Sequence, residues 1–554
     1  MPSDAPSNPL PQSPSAAGPP AAARHPTLSH AVVSTGAMTL ASRVFGLVRD
    51  VLIGRIFGDT VVGSAFAAAF AIPNMFRRLF GEGALSAAFI PEYTGAHKTD
   101  RAMADRLACM VLWWLGVGTG LLTFVAELVL LVLLMTLPHD PERTLSLRLI
   151  MVMLPFMPLI CVTAILAGML QVHGKYAAAA SGPVLLNAFI IAVGGYYVLF
   201  GGEADDRVAY ALGIATVLSG LTQALTFWWI LRRSGVRWDA RDHDTRAGVG
   251  RMLARFVPVL IGMGTLQLNA FLDTLIAMWP IWVGPTIFGV AYPLDDRSNI
   301  ILSLTQRLYQ FPLGVFGIAV ATAAFPMLAR HADDPREFVA VLRRGLRLSL
   351  LVGLPATIGL LLVRHDLVSV MFSGGKTGSG FSPEGLTRSA AVLAGFAVAV
   401  WAYALNHVLT RAFYARGDTK TPMRLSLAIV GLNFLLNIAL IWPLREAGLA
   451  WSTAACAIIQ CIALAFIARR RFSPTADSHL LDGPTLGAMT RVAAAATLMG
   501  LAVWGLLALW PDAHSWREKT FRLAAATGTG IVGFSVACLA LRVQELRWLL
   551  HRHV

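Results

Sequence analysis

Apolar runs of about twenty residues recur along this chain, and polar or Gly- and Pro-marked breaks separate them at intervals of roughly forty residues. A run of that length, rising about 1.5 Å per residue, crosses the roughly 30 Å hydrocarbon core of a bilayer as one helix. It is too long for the roughly ten-residue alternating strands of a membrane barrel. The pattern predicts about fourteen transmembrane helices, starting near Ala31, Asp59, Arg106, Arg143, Ala177, Arg207, Gly250, Arg297, Arg336, Pro383, Thr421, Leu444, Leu486 and Thr520. Residues 1–30, rich in Ser, Pro and Ala, hold no such run and predict a disordered cytoplasmic tail.

Composition turns the pattern into a class. Of 554 residues, 56% are apolar and only 14% charged, which excludes a soluble globule and leaves an all-α polytopic membrane protein. A formal charge of +14 would suggest nucleic acid in a soluble protein, but here Lys and Arg crowd alternate short loops. One set carries Lys98 to Arg106, Lys175, Arg232 to Arg255, Arg330 to Arg347, Arg411 to Arg424 and Arg469 to Arg471; the other, near Asp59, Pro138, Gly201, Pro293, Ser373 and Leu444, is sparse in basic residues. By the positive-inside rule the basic set is cytoplasmic, and an even helix count puts both termini there too. Only Arg517, Lys519 and Arg522 run against it. Nucleic acid is therefore not expected as a partner, while membrane lipids are. The five cysteines lie in apolar runs without metal-ligand spacing and read as packing residues.

The chain also echoes itself. Pro73 followed by Gly83-Ala-Leu-Ser-Ala-Ala-Phe-Ile-Pro91 returns as Pro312 followed by Gly317 to Pro326, and Leu170 to Lys175 returns as Phe413 to Asp418, with Asn187 and Asn433 downstream. Corresponding helices are six apart, which predicts two six-helix lobes of the same orientation with a site between them near the midplane. The expected divisions are an N-lobe over 31–233, a cytoplasmic linker over 234–249, a C-lobe over 250–471 and a C-terminal helix pair over 472–554.

Candidate chemistry lies in the charges inside the membrane. An arginine at a bilayer centre costs roughly 2.5 to 3.5 kcal/mol on insertion scales, so Arg43, Arg49, Arg55, Arg77, Arg78 and Arg307 call for a use. Guanidinium forks match phosphate oxygens, and several around one wet cavity would bind a polyanionic head group. Arg43, Arg49 and Arg55 are six apart and point about 120° from one another on a straight helix. The competing reading has some of them snorkel or pair with Asp50, and has Arg78 pair with Glu82 at i+4. Arg307 has no acid within a turn; Asp273, alone among apolar residues, or the substrate itself is the expected partner. No P-loop, H-E-x-x-H or G-x-S-x-G occurs and the aqueous loops are short, which argues against an enzyme.

The stretches S-R-V-F-G-L-V-R-D, I-P-N-M-F-R-R-L-F-G-E-G-A-L-S-A-A-F-I-P, R-L-Y-Q-F-P-L-G-V-F-G-I-A-V-A-T-A-A-F-P and F-Y-A-R-G-D-T-K-T-P resemble the signature of the MurJ (MviN) lipid II flippases, within the multidrug, oligosaccharidyl-lipid and polysaccharide exporter superfamily. The resemblance covers most of residues 31 to 470. It implies twelve core helices in two lobes, two more lining a groove for a lipid tail, and location in the bacterial inner membrane. The implied activity is flipping of undecaprenyl-pyrophosphate-linked disaccharide-pentapeptide to the periplasmic leaflet by alternating access. It also implies cavity arginines at Arg43, Arg49, Arg77 and Arg307, with Arg78 and Glu82 adjoining.

Family members commonly carry aspartates where this chain has Ser64 and Gln306, so Asp273 is expected to substitute as a charge partner. No cofactor is expected, and the membrane potential or a monovalent ion would drive transport; cell-wall synthesis proteins are conceivable partners. The alternatives are a cation-coupled exporter of another lipid-linked oligosaccharide or drug, a membrane enzyme acting on polyprenyl phosphates, and a scaffold for wall synthesis.

Overall fold

The computed structural model describes residues 28–81, 84–200, 205–238, 264, 267–374, 380–472, 479–510 and 513–546. In chain order its helices are α1 (Leu28–Phe57), α2 (Val61–Phe76), α3 (Ala84–Thr99), α4 (Arg101–Thr136), α5 (Pro141–Met153), α6 (Phe156–Val172), α7 (Tyr176–Ala180), α8 (Gly182–Phe200), α9 (Asp206–Arg233) and α10 (267–282). There follow α11 (Ser298–Pro312), α12 (Ile318–Arg330), α13 (Pro335–Phe372), α14 (Pro383–Ala397), α15 (Val400–Ala415), α16 (Lys420–Leu444), α17 (Glu446–Phe472), α18 (Gly483–Leu509) and α19 (Trp516–Ala540).

Helix starts follow local chemistry. Asp100, Asp140, Asp205, Asp334, Ser382, Asp482 and Ser515 accept hydrogen bonds from otherwise unpaired first-turn N–H groups, and proline opens α5, α13, α14 and α18, where its missing N–H costs nothing. The expected starts mostly fall within four or five residues of observed ones; the start near Gly250, residues 1–27 and the linker from 239 lie outside the described residues.

Among the described residues, ten helical segments are long and apolar enough to cross a membrane, counting α5 with α6 and α14 with α15 as continuous rods. The other four expected spans fall on α1, on α2 with α3, on α10, and on α11 with α12. These include the elements that carry the intramembrane arginines or are broken by proline. A two-stranded hairpin, β1 (Thr286–Ile287) and β2 (Val290–Ala291), turns at Phe288 and Gly289 within the long segment before α11.

The internal echo is structural. After Pro73 the helix widens into a π-helical turn at Arg77–Gly81, and after Pro312 into another at Leu313–Gly317, as expected where proline removes a ladder donor. The ends of α6 and α15 match in detail. Gly174 and Gly417 both adopt φ of 72°, a left-handed conformation that glycine takes without steric cost, and Lys175 and Asp418 N–H close the helices on Leu170 and Phe413 carbonyls at 2.8 and 3.0 Å.

The buried side chains divide unevenly between the two ends of the molecule. At the end bearing the sparse loops, one core runs through both halves, including Phe57, Phe66, Met153 and Ile190 together with Ile300, Phe372, Phe381 and Val400. At the end bearing the basic loops each half has its own core, Phe89, Tyr93 and Leu170 in the first and Phe338, Leu342 and Phe413 in the second. The halves thus converge at one end and part at the other. The C-terminal pair α18 and α19 packs on α13, with Trp516 Nε1 donating to the Val370 carbonyl at 3.1 Å and Arg522 facing Asp366 at 3.4 Å.

The converged end is tied by charge. Arg55, near the end of α1, donates to the carbonyls of Val370 (2.9 Å) and Met371 (3.2 Å) at the C-terminal end of α13. Asp59, 5% exposed, accepts from Ser382 N and Oγ, both at 2.6 Å, at the N-terminus of α14. A cation thus meets the negative end of one helix dipole and an anion the positive end of the next. The approach is close: a Cβ on Gly58 would lie 2.4 Å from the Gly380 carbonyl oxygen.

Beside this seam Arg388 binds Asp295 at 2.7 and 2.8 Å and Glu446 at 2.7 and 3.0 Å. Burial alone would push the Asp295 carboxyl up, but hydrogen bonds and charge from Arg388, the Ser298 hydroxyl and Arg445 bring it down to about 2. A folded-state value below the unfolded one means that its stabilisation is present above about pH 4 and is lost only as pH falls through about 2. Asp295→Asn should therefore lower thermal stability by about 3 kcal/mol, and by the same amount at pH 7 and pH 5, in melts of the purified protein; a difference that vanished at pH 5 would refute the pairing.

Candidate functional site

Within the first half, towards the end where the cores part, lies a cavity of about 560 Å³ that α11 of the second half borders on one side. The middle of α1 supplies Arg43, Arg49 and Asp50, the first π-helical turn Arg77 and Arg78, and α11 Arg307. The widened turn after Pro73 carries two successive arginines at the cavity wall, and Gly46 keeps the face of α1 open between Arg43 and Arg49. Among the described residues, five arginines and one carboxylate line the space. Asn74, Gln171, Asn187, Gln223 and Gln310 add neutral donors and acceptors, and Gln223 Nε2 is buried without a hydrogen-bond partner among the described residues.

The arginines are not equivalent. Arg49 is 9% exposed; its Nε and Nη2 donate to Asp50 Oδ1 at 3.0 and 2.7 Å, its Nη1 to Asn187 Oδ1 at 2.9 Å, and its guanidinium lies 5.0 Å from the centre of the Phe70 ring. It is a clamped wall residue. Arg77 Nε donates to Asn74 Oδ1 at 2.7 Å, which fixes the head of that side chain against α2. Arg43 makes no hydrogen bond or ion pair among the described residues and lies against Gly314 of the second π-helical turn, where no side chain obstructs it. The six-residue spacing along α1 is thus resolved by division: Arg43 and Arg49 reach the cavity, while Arg55 is spent on the end of α13.

The expected pairing of Arg307 with Asp273 is corrected. Arg307 Nε lies 3.8 Å from Asp50 Oδ2, and its Nη1 faces Gln310 Oε1 at 3.4 Å. Asp273 instead accepts from Asn437 Nδ2 at 2.6 Å, in a buried network with Asn433 and Ser452, and has no cationic partner among the described residues. The physical reason is position: Asp50 on α1 faces α11 across the gap between the halves, whereas Asp273 on α10 turns into its own half. Asp50 serves Arg49 and Arg307 rather than Arg43. Glu82 lies outside the described residues.

Ser64, where a carboxylate was expected, forms a neutral seam. Its hydroxyl accepts from Ile300 N at 3.2 Å and its carbonyl from Asn299 Nδ2 at 2.9 Å. Sequence reasoning missed Asn187 as the residue that orients Arg49, although its echo in Asn433 marked it; each asparagine belongs to a network that holds an ionisable residue of the first helix of its own half.

Residues 53–524 match the family model described as lipid II flippase MurJ. Probable lipid II flippases MurJ from Rhizobium tropici (30% identical, covering 91% of this chain and 91% of that protein), Rhizobium meliloti strain 1021 (32%, covering 75% and 76%) and Vibrio cholerae serotype O1 (29%, covering 94% and 98%) are among its relatives. Among solved structures, a lipid II flippase MurJ in an inward closed conformation superposes with a TM-score of 0.72 at 20% identity, covering 94% of this chain and all of that one. An inward-facing multidrug resistance MATE family transporter of the MOP superfamily gives 0.64 at 14% identity, covering 80% and 98%. These two likenesses establish the fold.

The division among the arginines is testable with inorganic pyrophosphate as a probe of the purified protein. Arg43→Gln should weaken pyrophosphate binding about tenfold, the loss of a charge-assisted contact, with little change in melting temperature. Arg49→Gln should lower the melting temperature as well, because it leaves Asp50 short of its main partner. Equal behaviour of the two variants in both measurements would contradict the assignment.

Proposed function

The chain belongs to the lipid II flippase MurJ family and is a multi-pass bacterial membrane transporter rather than an enzyme; from that premise we propose that it carries lipid II across the inner membrane with the diphosphate held in the arginine cavity. The observation that carries this reading is the surplus of five arginines over one carboxylate among the described residues lining a cavity of the first half that α11 of the second half borders. Such a surplus attracts a compact polyanion, and planar guanidinium groups bind its oxygens in pairs. The neutral amides at Asn74, Gln171 and Asn187 would meet sugar and peptide.

The basic loops lie at the end where the halves part, so the positive-inside rule orients the cavity towards the cytoplasm, with both termini on that side. The substrate enters there. To release it outward, the sealed end must open: Arg55 leaves the carbonyls of α13, Asp59 leaves the N-terminus of α14, and the Ser64–Asn299 seam parts, while the two inner cores close on each other. This is alternating access between two packings of the same halves. The polyprenyl tail stays in lipid against α13, α18 and α19, the outlying pair.

Moving a dianion outward is favoured by an inside-negative potential, at roughly 2.3 kcal/mol per charge per 100 mV. Asp273 favours a second account of the drive, since a half-buried carboxylate at membrane depth with no cationic partner among the described residues is where a coupled proton or monovalent cation would act. The two are separable in proteoliposomes carrying fluorescent lipid II. If the potential acts on the substrate, collapsing it should slow transport about tenfold or more, in wild type and Asp273→Asn alike. If an ion at Asp273 drives transport, Asp273→Asn abolishes the dependence. Transport that never responds to either change would remove both accounts of the driving force.

A further inference from the structure

A second, smaller cavity opens off the first. It measures about 90 Å³, lies between α2, α10 and α11, and shares Asn74, Arg78 and Arg307 with the arginine cavity. Its chemistry is different. Gln267, Thr274, Ser303 and Gln306 line it, no carboxylate does among the described residues, and the rest of the wall includes Ala71, Ile72 and Phe271. Thr274 is satisfied by the Ala270 carbonyl at 3.0 Å, but neither Gln267 nor Ser303 has a hydrogen-bond partner among the described residues. Both are half-exposed, so their polar groups are open to water or to a ligand in the pocket.

The volume and the donor set narrow the ligand. At roughly 30 Å³ per water the pocket holds about three waters, or one group of acetamide size. A glutamine side chain offers a donor and an acceptor together, and a serine hydroxyl offers either. That pair complements a secondary amide, whose N–H and C=O would meet Gln267 and Ser303 while its methyl or methylene meets Ala71, Ile72 and Phe271. A cation finds no carboxylate there, and an anion is drawn to the neighbouring guanidinium groups instead. Because Arg307 faces both cavities, the group in the small one must sit within a few bonds of the anion that Arg307 holds.

We propose that this side pocket is a specificity subsite that receives a secondary amide adjoining the diphosphate, either the acetamido group of an N-acylated amino sugar or the first amide of an attached peptide. The proposal rests on the function inferred above and adds the groups by which the head is distinguished from other polyprenyl-linked sugars. Ser303 lies one turn before Arg307 on α11, so anion and amide are read by one helix face. Closure of the seam at Ser64 and Asn299, one turn earlier still, is thereby coupled to whether the pocket is filled.

The test uses the full-length protein in nanodiscs and measures affinity for short-chain polyprenyl diphosphate, for the same lipid bearing an N-acetylhexosamine, and for the analogue with a hydroxyl in place of the acetamido group. Both sugars are measured with and without a peptide. Wild type should prefer the acetamido ligand over its hydroxyl analogue about tenfold, the scale of one or two hydrogen bonds that must otherwise go unmade. In Gln267→Ala/Ser303→Ala that ratio should fall towards one, and likewise in Ala71→Leu, which fills the pocket without touching its polar groups and serves if the double variant does not fold.

A preference that arises only from the peptide, on either sugar, keeps the amide subsite and assigns it to the peptide. A ratio of one in wild type, with bare polyprenyl diphosphate still bound, or a preference that survives in both variants, overturns the subsite and leaves the transport reading standing. Failure of wild type to bind any polyprenyl diphosphate removes the transport reading and the subsite with it.

Discussion

Asp50 is the charge on which the arrangement of the cavity depends. Among the described residues it is the one carboxylate beside five lining arginines, it takes two hydrogen bonds from Arg49, and its other oxygen faces Arg307 across the gap between α1 and α11. Without it, two guanidinium groups would approach each other in a medium of low dielectric, where like charges repel strongly. With it, Arg49 becomes a fixed wall and Arg307 is held near the cavity without being used up, since 3.8 Å is a weak contact that an incoming phosphate can replace.

The same economy governs the far end of α1. Arg55 and Asp59 are one turn apart and meet opposite ends of two consecutive helices, so the closure is held largely by dipoles and backbone groups, with Arg297 3.8 Å from the Asp59 carboxylate. The contacts are directional and few, set on a shared apolar core. A core shared at one end and divided at the other suits the proposed rocking of the two halves, and the C-terminal pair packs on α13 of the second half.

Much of this was legible in the sequence, and what was not has physical causes. Helix starts were legible because caps and N-terminal prolines mark them, and the repeat was legible because Gly174 and Gly417 must take the same left-handed turn. The identity of the cavity arginines followed from the cost of burying charge. The pairing of those charges did not, since Asp50 and Arg307 are 257 positions apart and only the packing of α1 against α11 brings them together. Asp273 looked available because its neighbours in sequence are apolar; its actual partner, Asn437, is neutral and distant in the chain. The roles of Arg55 and Asp59 were hidden for a related reason: they bind backbone, which no residue pattern reveals.

The central claim is that the arginine cavity carries lipid II outward. Its most direct test is lipid II exposure at the outer leaflet of cells depleted of this protein and then supplied with wild type or with Arg307→Ala at equal abundance. Exposure should collapse on depletion, return with wild type and fail to return with the variant. Full restoration by Arg307→Ala, or exposure that never falls in cells with no second flippase, would contradict it.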